Sequence, residues 1–331
     1  MSVAASTALG VGTGRGRAWM AIFGLTLVGL VVLLLAPLVI DAYWLRVLTT
    51  VMMYAIVTQG LNVIVGITGY HAFGNGVFFG VGAYACGVAM ALGMPFAIGL
   101  AAAILAAALA ALVLGWPILR LRGHYFAIAT VALNLAAIQL VIQIGGLTGG
   151  AQGLALPLSD WEPRPLYVAI YYVMLAGMVA STAIVALLLR LPLGYALRAI
   201  RDSERAAAVM GIDTTKAKVL AWAISAALTG FAGGVWAYWI TFIEPSSAFD
   251  PAVGVKGYIM LIIGGMGTVL GPILGAFLLE IVSTLVWGGF LHAHQLILGI
   301  LIVLICLVAP KGVIEAGSRL MRSWRRRRGA A

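Results

Sequence analysis

The chain has 331 residues, of which 63% are hydrophobic and 9% charged. A soluble domain carries about 25% charged residues, so the composition excludes a soluble globular protein and points to a polytopic membrane protein. The formal net charge of +10 does not mark a nucleic-acid binder, because Lys and Arg fall in short loops and at the termini, where the positive-inside rule puts them.

An amino-terminal tail, residues 1–18, carries Arg15 and Arg17. Segment 19–40 follows, long enough at ~1.5 Å per residue to span the ~30 Å hydrocarbon core. It lacks a small-residue cleavage site and reads as a retained helix, not a signal peptide. Further spans are expected at 43–65, 77–92, 95–115, 124–144, 166–189, 219–241, 254–266, 270–290 and 294–309. The fold class is therefore all-α, with about ten transmembrane helices, some short or broken, filling 19–310. Residues 311–331 form a basic tail whose Arg325 to Arg328 fit anchorage at anionic lipid. Ten crossings put both termini on one side. On that side lie 17 of the 20 Lys and Arg residues, leaving Arg46, Arg164 and Lys256 opposite; both termini are thus expected in the cytoplasm.

Three spans are weak. Segment 77–92 is short and glycine-rich, 254–266 is short and followed by a glycine run, and 124–144 carries Asn134, Gln139 and Gln143. Interrupted or polar segments at membrane depth need protein or a water-filled cavity around them, so these three are assigned to the bundle interior. Paired Gly/Pro-broken segments also point to a transport path; Gly80, Gly82 and Pro95 against Gly265, Gly267 and Pro272 suggest such a pairing. Glycines at i+4 spacing (Gly76 and Gly80; Gly230 and Gly234; Gly267, Gly271 and Gly275) suit close helix packing. Cys86 and Cys306 lie in apolar segments and read as small packing residues, with no disulfide framework. Residues 145–165 form the longest non-helical stretch, with Trp161 and Tyr167 at an interface.

Between the spans at 166–189 and 219–241 lies a charged island, Leu193 to Gly211, within a loop at 190–218. Its Ala, Leu, Arg and Glu content favours helix. Arg198 with Asp202 and Arg201 with Glu204 fall at i,i+4 and i,i+3, Gly211 is a natural stop, and Asp213 can cap the next helix. No Lys in the chain follows a Gly, so the Gly-Lys-Ser/Thr ending of a phosphate-binding loop is absent. Any ATP-driven work must come from a partner. Glu280 is an acid well inside a span, and an intramembrane carboxylate is a functional candidate by default; it is expected to face the bundle interior. His71, His124, His292 and His294 show no ligand or catalytic spacing.

Four stretches carry a family resemblance. They are Gly69 to Tyr84 (GYHAFGNGVFFGVGAY), Leu119 to Thr130 (LRLRGHYFAIAT), Leu147 to Gly153 (LTGGAQG), and the island running on to Ile262 to Ala276 (IIGGMGTVLGPILGA). Together they resemble the branched-chain amino acid permeases of ABC importers, in particular their LivM branch, from about residue 40 to 312. There are departures. A Ser-Leu/Phe-Gly-His core is replaced by His71-Ala-Phe-Gly-Asn75, a Gly-Glu pair by Asn134-Leu135, and part of a Ser-rich run by Asp250 to Lys256.

The resemblance implies a multi-pass permease of the bacterial inner membrane with no directly bound cofactor. ATP would be hydrolysed by two separate ABC ATPase subunits. The other expected partners are a second related permease, a periplasmic substrate-binding protein and membrane lipid, with no nucleic acid. Glu204, Ala206, Ala207 and Gly211 match the ATPase-contacting loop, to which Arg198 and Arg201 are added. Tyr70, Asn75, Phe79, Tyr84, Asn134, Gly265, Gly267 and Glu280 are the expected translocation path. The default cargo is branched-chain or related amino acids. Urea, short amides and small organic acids are alternatives within the class, and a stand-alone secondary transporter or channel is the alternative outside it. An integral membrane enzyme would need a clustered acid/base or metal set, which the sequence does not offer.

Overall fold

The computed structural model describes residues 12–121, 123–157, 162–289 and 299. The expected span 294–309 apart from residue 299, together with Arg122, Asp160, Trp161, His292, His294, Cys306 and Arg325 to Arg328, lies outside them. Two compact units are distinguished, Met1–Leu45 and Arg46–Ala331. The first contains α1 (Gly12–Val39), which begins within the expected tail, and the start of α2 (Ala42–Leu61).

The second unit continues from α2 into a π-helical turn, Asn62–Ile67. After a non-helical stretch, a 3₁₀ turn at Phe73–Asn75 leads into α3 (Gly76–Ala91), followed by α4 (Phe96–Ile118) and α5 (His124–Gln143). The expected non-helical stretch folds into a short α6 (Gly145–Thr148), a 3₁₀ turn at Gly150–Gln152 and strand β1 (Leu154–Ala155). Then come α7 (Pro163–Leu188), α8 (Pro192–Asp202), α9 (Glu204–Val209), α10 (Thr214–Ile240), β2 (Phe242–Ile243), α11 (Pro245–Ala248), α12 (Pro251–Gly264) and α13 (Gly271–Gly289). β1 and β2 pair antiparallel, Leu154 with Ile243, a small addition to an otherwise helical fold.

The helix limits follow from local chemistry. Pro163, Pro192, Pro245 and Pro251 open α7, α8, α11 and α12, where the missing amide would have had no partner anyway. Ser203, Asp213 and Asp250 cap α9, α10 and α12 by accepting the amides of Ala206, Lys216 and Ala252. Gly211 ends the island at φ +87° and Gly265 ends α12 at φ +114°, backbone values open to glycine at no steric cost.

Seven described helical stretches are long and apolar enough to cross a membrane, and Val28–Val39 and Gly271–Leu285 are shorter apolar helices. They match nine of the ten expected spans. Every residue from Val51 to Thr68 except Tyr54 is buried, so α2 and its π turn run through protein. Helix α10 packs against α3 and α4, which also pack on each other. A Cβ on Gly82 would stand 2.2 Å from the Gly230 carbonyl oxygen, and one on Gly233 would stand 2.0 Å from that of Phe79. Membrane helices pack through such small residues, since lipid offers no hydrophobic drive. These glycine pairs therefore pack within this chain.

One expectation is corrected. Segment 124–144 is not interior: only Phe126, Thr130, Asn134 and Ala137 of α5 are buried, while Gln139 and Gln143 are exposed. Its apolar residues surround the helix, so only the stripe that meets Tyr70, the 3₁₀ turn and Phe249 is covered. Segment 73–91, by contrast, is largely buried.

The start of α3 is deep. Asn75 Nδ2 donates to Ser225 Oγ at 3.2 Å and to Thr229 Oγ1 at 3.0 Å. Ser225 is eleven residues past Thr214, or roughly 16 Å along α10, about half of a ~30 Å core. The non-helical stretch before Phe73 therefore leads from the island, where Tyr70 meets Glu204, to this level of α10.

Candidate coupling and translocation site

The island folds as two short helices broken at Ser203, whose backbone is extended (φ −162°, ψ 108°). Its residues are tied to the bundle individually. Arg198 Nη2 donates to the Leu189 carbonyl at 2.6 Å and Nε to that of Gly194 at 3.2 Å, fixing the turn from α7 into α8. Arg201 Nη1 donates to the Gly66 carbonyl in the π turn at 2.7 Å. The Glu204 carboxylate turns inward, 2.7 Å from Lys218 Nζ, and accepts the Tyr70 hydroxyl at 2.6 Å. Lys218 also donates to Tyr70 Oη at 3.0 Å and to the Leu119 carbonyl at 3.2 Å.

Four segments thus converge on one ammonium: α9, α10, the unwound stretch after the π turn, and the end of α4. The Lys218 side chain is 4% exposed and that of Glu204 17%. A charge so enclosed persists only when paired and hydrogen-bonded. Tyr70, expected on the path, belongs to this clasp, with its ring edge-on to Phe126.

Of the remaining island residues, Ala207 is buried, whereas Ala206 and Gly211 are exposed. Beside them Val209 is 88% and Met210 83% exposed, an apolar knob at the end of α9. Asp213 is held below the usual carboxylate range chiefly by the Lys216 amide that it accepts.

A second convergence lies at depth. The starts of α3 and α12 meet, since a Cβ on Gly254 would stand 2.6 Å from the Phe73 carbonyl oxygen and one on Gly76 3.3 Å from that of Asp250. Asn134 Nδ2 donates to the Phe249 carbonyl at 2.7 Å, while its Oδ1 is buried without a partner. Phe79 packs against Trp236, and Tyr84 stacks on Phe249. Tyr84 and Asn134 therefore meet Phe249 beside this junction, while Asn75 and Phe79 pack against α10. Exposed His71 on the unwound stretch lies near Tyr258, which also packs on Phe73. Broken helices meeting near the midplane are the usual setting of a transporter's solute site. Among the described residues, no three His, Cys, Asp or Glu side chains come together as metal ligands do.

Gly265 and Gly267 sit elsewhere, in the loop between α12 and α13, where the Gly267 amide donates to Asn62 Oδ1 at 2.8 Å. Glu280 is buried, but against Lys256 Nζ at 2.6 Å, with that ammonium 4.4 Å from the Tyr54 ring centre. Lys256, expected at the outer end of the span 254–266, lies within α12. The Asp250–Pro251 cap starts α12 early enough to enclose it.

Lys218, Asn62, Gln59 and Lys256 escaped the sequence reading. The pattern did hold a signal for Lys218, which shares a face with Ala221, Trp222, Ser225 and Thr229, all buried. Asn62 and Gln59 are likewise polar residues at i,i+3 in an apolar span.

A family model described as "Branched-chain amino acid transport system / permease component" matches residues 43–306. The chain is similar to the high-affinity branched-chain amino acid transport system permease protein LivM of Escherichia coli (strain K12), 33% identical over 320 residues, covering 88% of this chain and 74% of that protein. Similarity to the corresponding LivH protein of the same strain is 25% over 289 residues, 79% of this chain and 91% of that one. The autoinducer 2 import system permease protein LsrC of Photorhabdus laumondii is 29% identical over 185 residues, 48% of this chain and 55% of that one. No solved structure matches.

Proposed function

Because the chain belongs to the branched-chain amino acid transport permease family, we propose that it forms one half of the membrane path of an ATP-driven importer for branched-chain amino acids. It is a permease component with no ATPase site of its own. In this reading two ABC ATPase subunits hydrolyse ATP, a second related permease completes the path, and a binding protein delivers the solute from outside. The chain lies in a bacterial inner membrane with both termini in the cytoplasm. ATP-driven closure of the ATPases moves the island, and the junction of α3 and α12 opens alternately to the two sides.

The observation that carries this reading is the clasp. An exposed apolar knob, Val209 and Met210, ends a short helix whose Glu204 is locked onto Lys218 of a long span and Tyr70 of the unwound stretch. A partner gripping the knob pulls directly on two elements that reach the junction.

The test is purification of the tagged chain from its native membrane in mild detergent, with mass spectrometry of what accompanies it. Two ATPases and a second permease are expected, and the reconstituted complex should import leucine, isoleucine and valine. A chain that comes alone even after gentle crosslinking would instead support a stand-alone transporter.

A further inference from the structure

The island touches the bundle at a second point. Arg201 donates to Gly66 of the π turn at 2.7 Å. One helical turn earlier, Asn62 donates through Nδ2 to the Thr268 carbonyl at 2.8 Å and accepts the Gly267 amide on Oδ1 at 2.8 Å. Gln59 Nε2 donates to the Val269 carbonyl at 2.8 Å. Two side-chain amides of one span thus hold three consecutive residues of the α12–α13 loop.

The crossing leaves no room for a methyl group. A Cβ on Gly66 would stand 2.1 Å from Asn62 Oδ1 and 2.6 Å from the Gly267 nitrogen. One on Gly267 would stand 3.0 Å from Arg201 Nη1 and 3.1 Å from the Gly66 oxygen. The meeting occurs on a π turn, a rare element found mostly as single turns and often at functional sites. Its i→i+5 bonding places one more residue in the turn than an α-helix would, so a return to α-helix shifts everything beyond it by one position. Asn62 and Gln59 are buried, where a broken amide bond leaves a donor or acceptor unsatisfied. The joint is therefore made or broken as a unit.

We propose that Asn62 is a positioning residue for coupling. Set by the π turn, it ties the α12–α13 loop to the island, so that movement of Arg201 and Gly66 is delivered along α12 to its junction with α3. This rests on the reading of the island as the element that ATPases move.

The test uses the complete transporter in proteoliposomes, with ATP hydrolysis and leucine import measured on the same vesicles. Asn62→Leu removes both hydrogen bonds to the loop. Gly66→Ala keeps both side-chain amides but wedges a methyl between Asn62 Oδ1 and the Gly267 nitrogen. Each is expected to leave hydrolysis within about twofold of wild type while raising the ATP consumed per leucine imported about tenfold, the size of an ordinary coupling term. Hydrolysis and import falling in parallel, at equal recovery of assembled complex, would make Asn62 a packing residue and overturn the proposal. Wild-type stoichiometry in both variants would overturn it too. Failure of the functional reading is seen separately, in a wild-type complex that neither assembles with ATPases nor imports leucine.

Discussion

The Lys218 amine is enclosed in an apolar bundle with a carboxylate, a phenol and a carbonyl all within 3.2 Å. Removing one member of such a pair leaves the other charged and enclosed, at a cost of about 3–5 kcal/mol, whereas neutralising both is far less damaging. Lys218→Met alone should therefore lower the apparent Tm of the detergent-purified protein strongly. Lys218→Met combined with Glu204→Gln should recover most of the loss. Equal losses in the single and double variants would show that the clasp stabilises through packing and not through charge.

The broken elements follow the same logic. Lys256 lies eight residues before the end of α12 and Glu280 nine past the start of α13, roughly 12–14 Å along each helix from the loop that joins them. The two charges meet because the helices are the arms of one hairpin. Lys256 also lies nearly opposite Tyr258, the residue that faces Phe73 and the unwound stretch, since two positions on a helix are about 200° apart. The pair thus clamps the hairpin. Glu280→Gln alone should reduce recovery of the assembled transporter, and Lys256→Met with Glu280→Gln should restore both recovery and leucine import. Import lost in a fully assembled double variant would return Glu280 to the translocation path.

Legibility divides at the same place. The spans, their order, the Gly211 stop and the Asp213 cap could be read from composition, length and capping chemistry, which are local. Pairings such as Glu204 with Lys218, Asn62 with Gly267 and Lys256 with Glu280 join residues that are 14, 205 and 24 positions apart in the chain. A single sequence carries no rule that would match them. The interior assignment of 124–144 failed for a related reason: three polar side chains mark a helix as unusual without saying which face is covered.

At the scale of the whole molecule the island ends in an exposed apolar knob, Val209 and Met210, while Arg198, Arg201 and Glu204 are bonded to the bundle. Full burial of such side chains in a partner's groove is worth about 1.5–3 kcal/mol each. Val209→Ser with Met210→Ser should therefore reduce the ATPase that copurifies with the chain by at least about tenfold. The thermal stability of the isolated chain should stay where it was, and unchanged ATPase recovery would move the docking surface elsewhere. Inside the bundle, α10 is gripped twice: by Glu204 at Lys218, and by Asn75 at Ser225 and Thr229. Between those grips lies unbroken α-helix, roughly 16 Å from Lys218 to Thr229, which neither stretches nor compresses appreciably under thermal forces. In the proposed cycle a displacement entering at one grip therefore reaches the other with little loss. The same stiffness would remove a freedom: the ATPase's hold on the island and the width of the opening would be set by one rod.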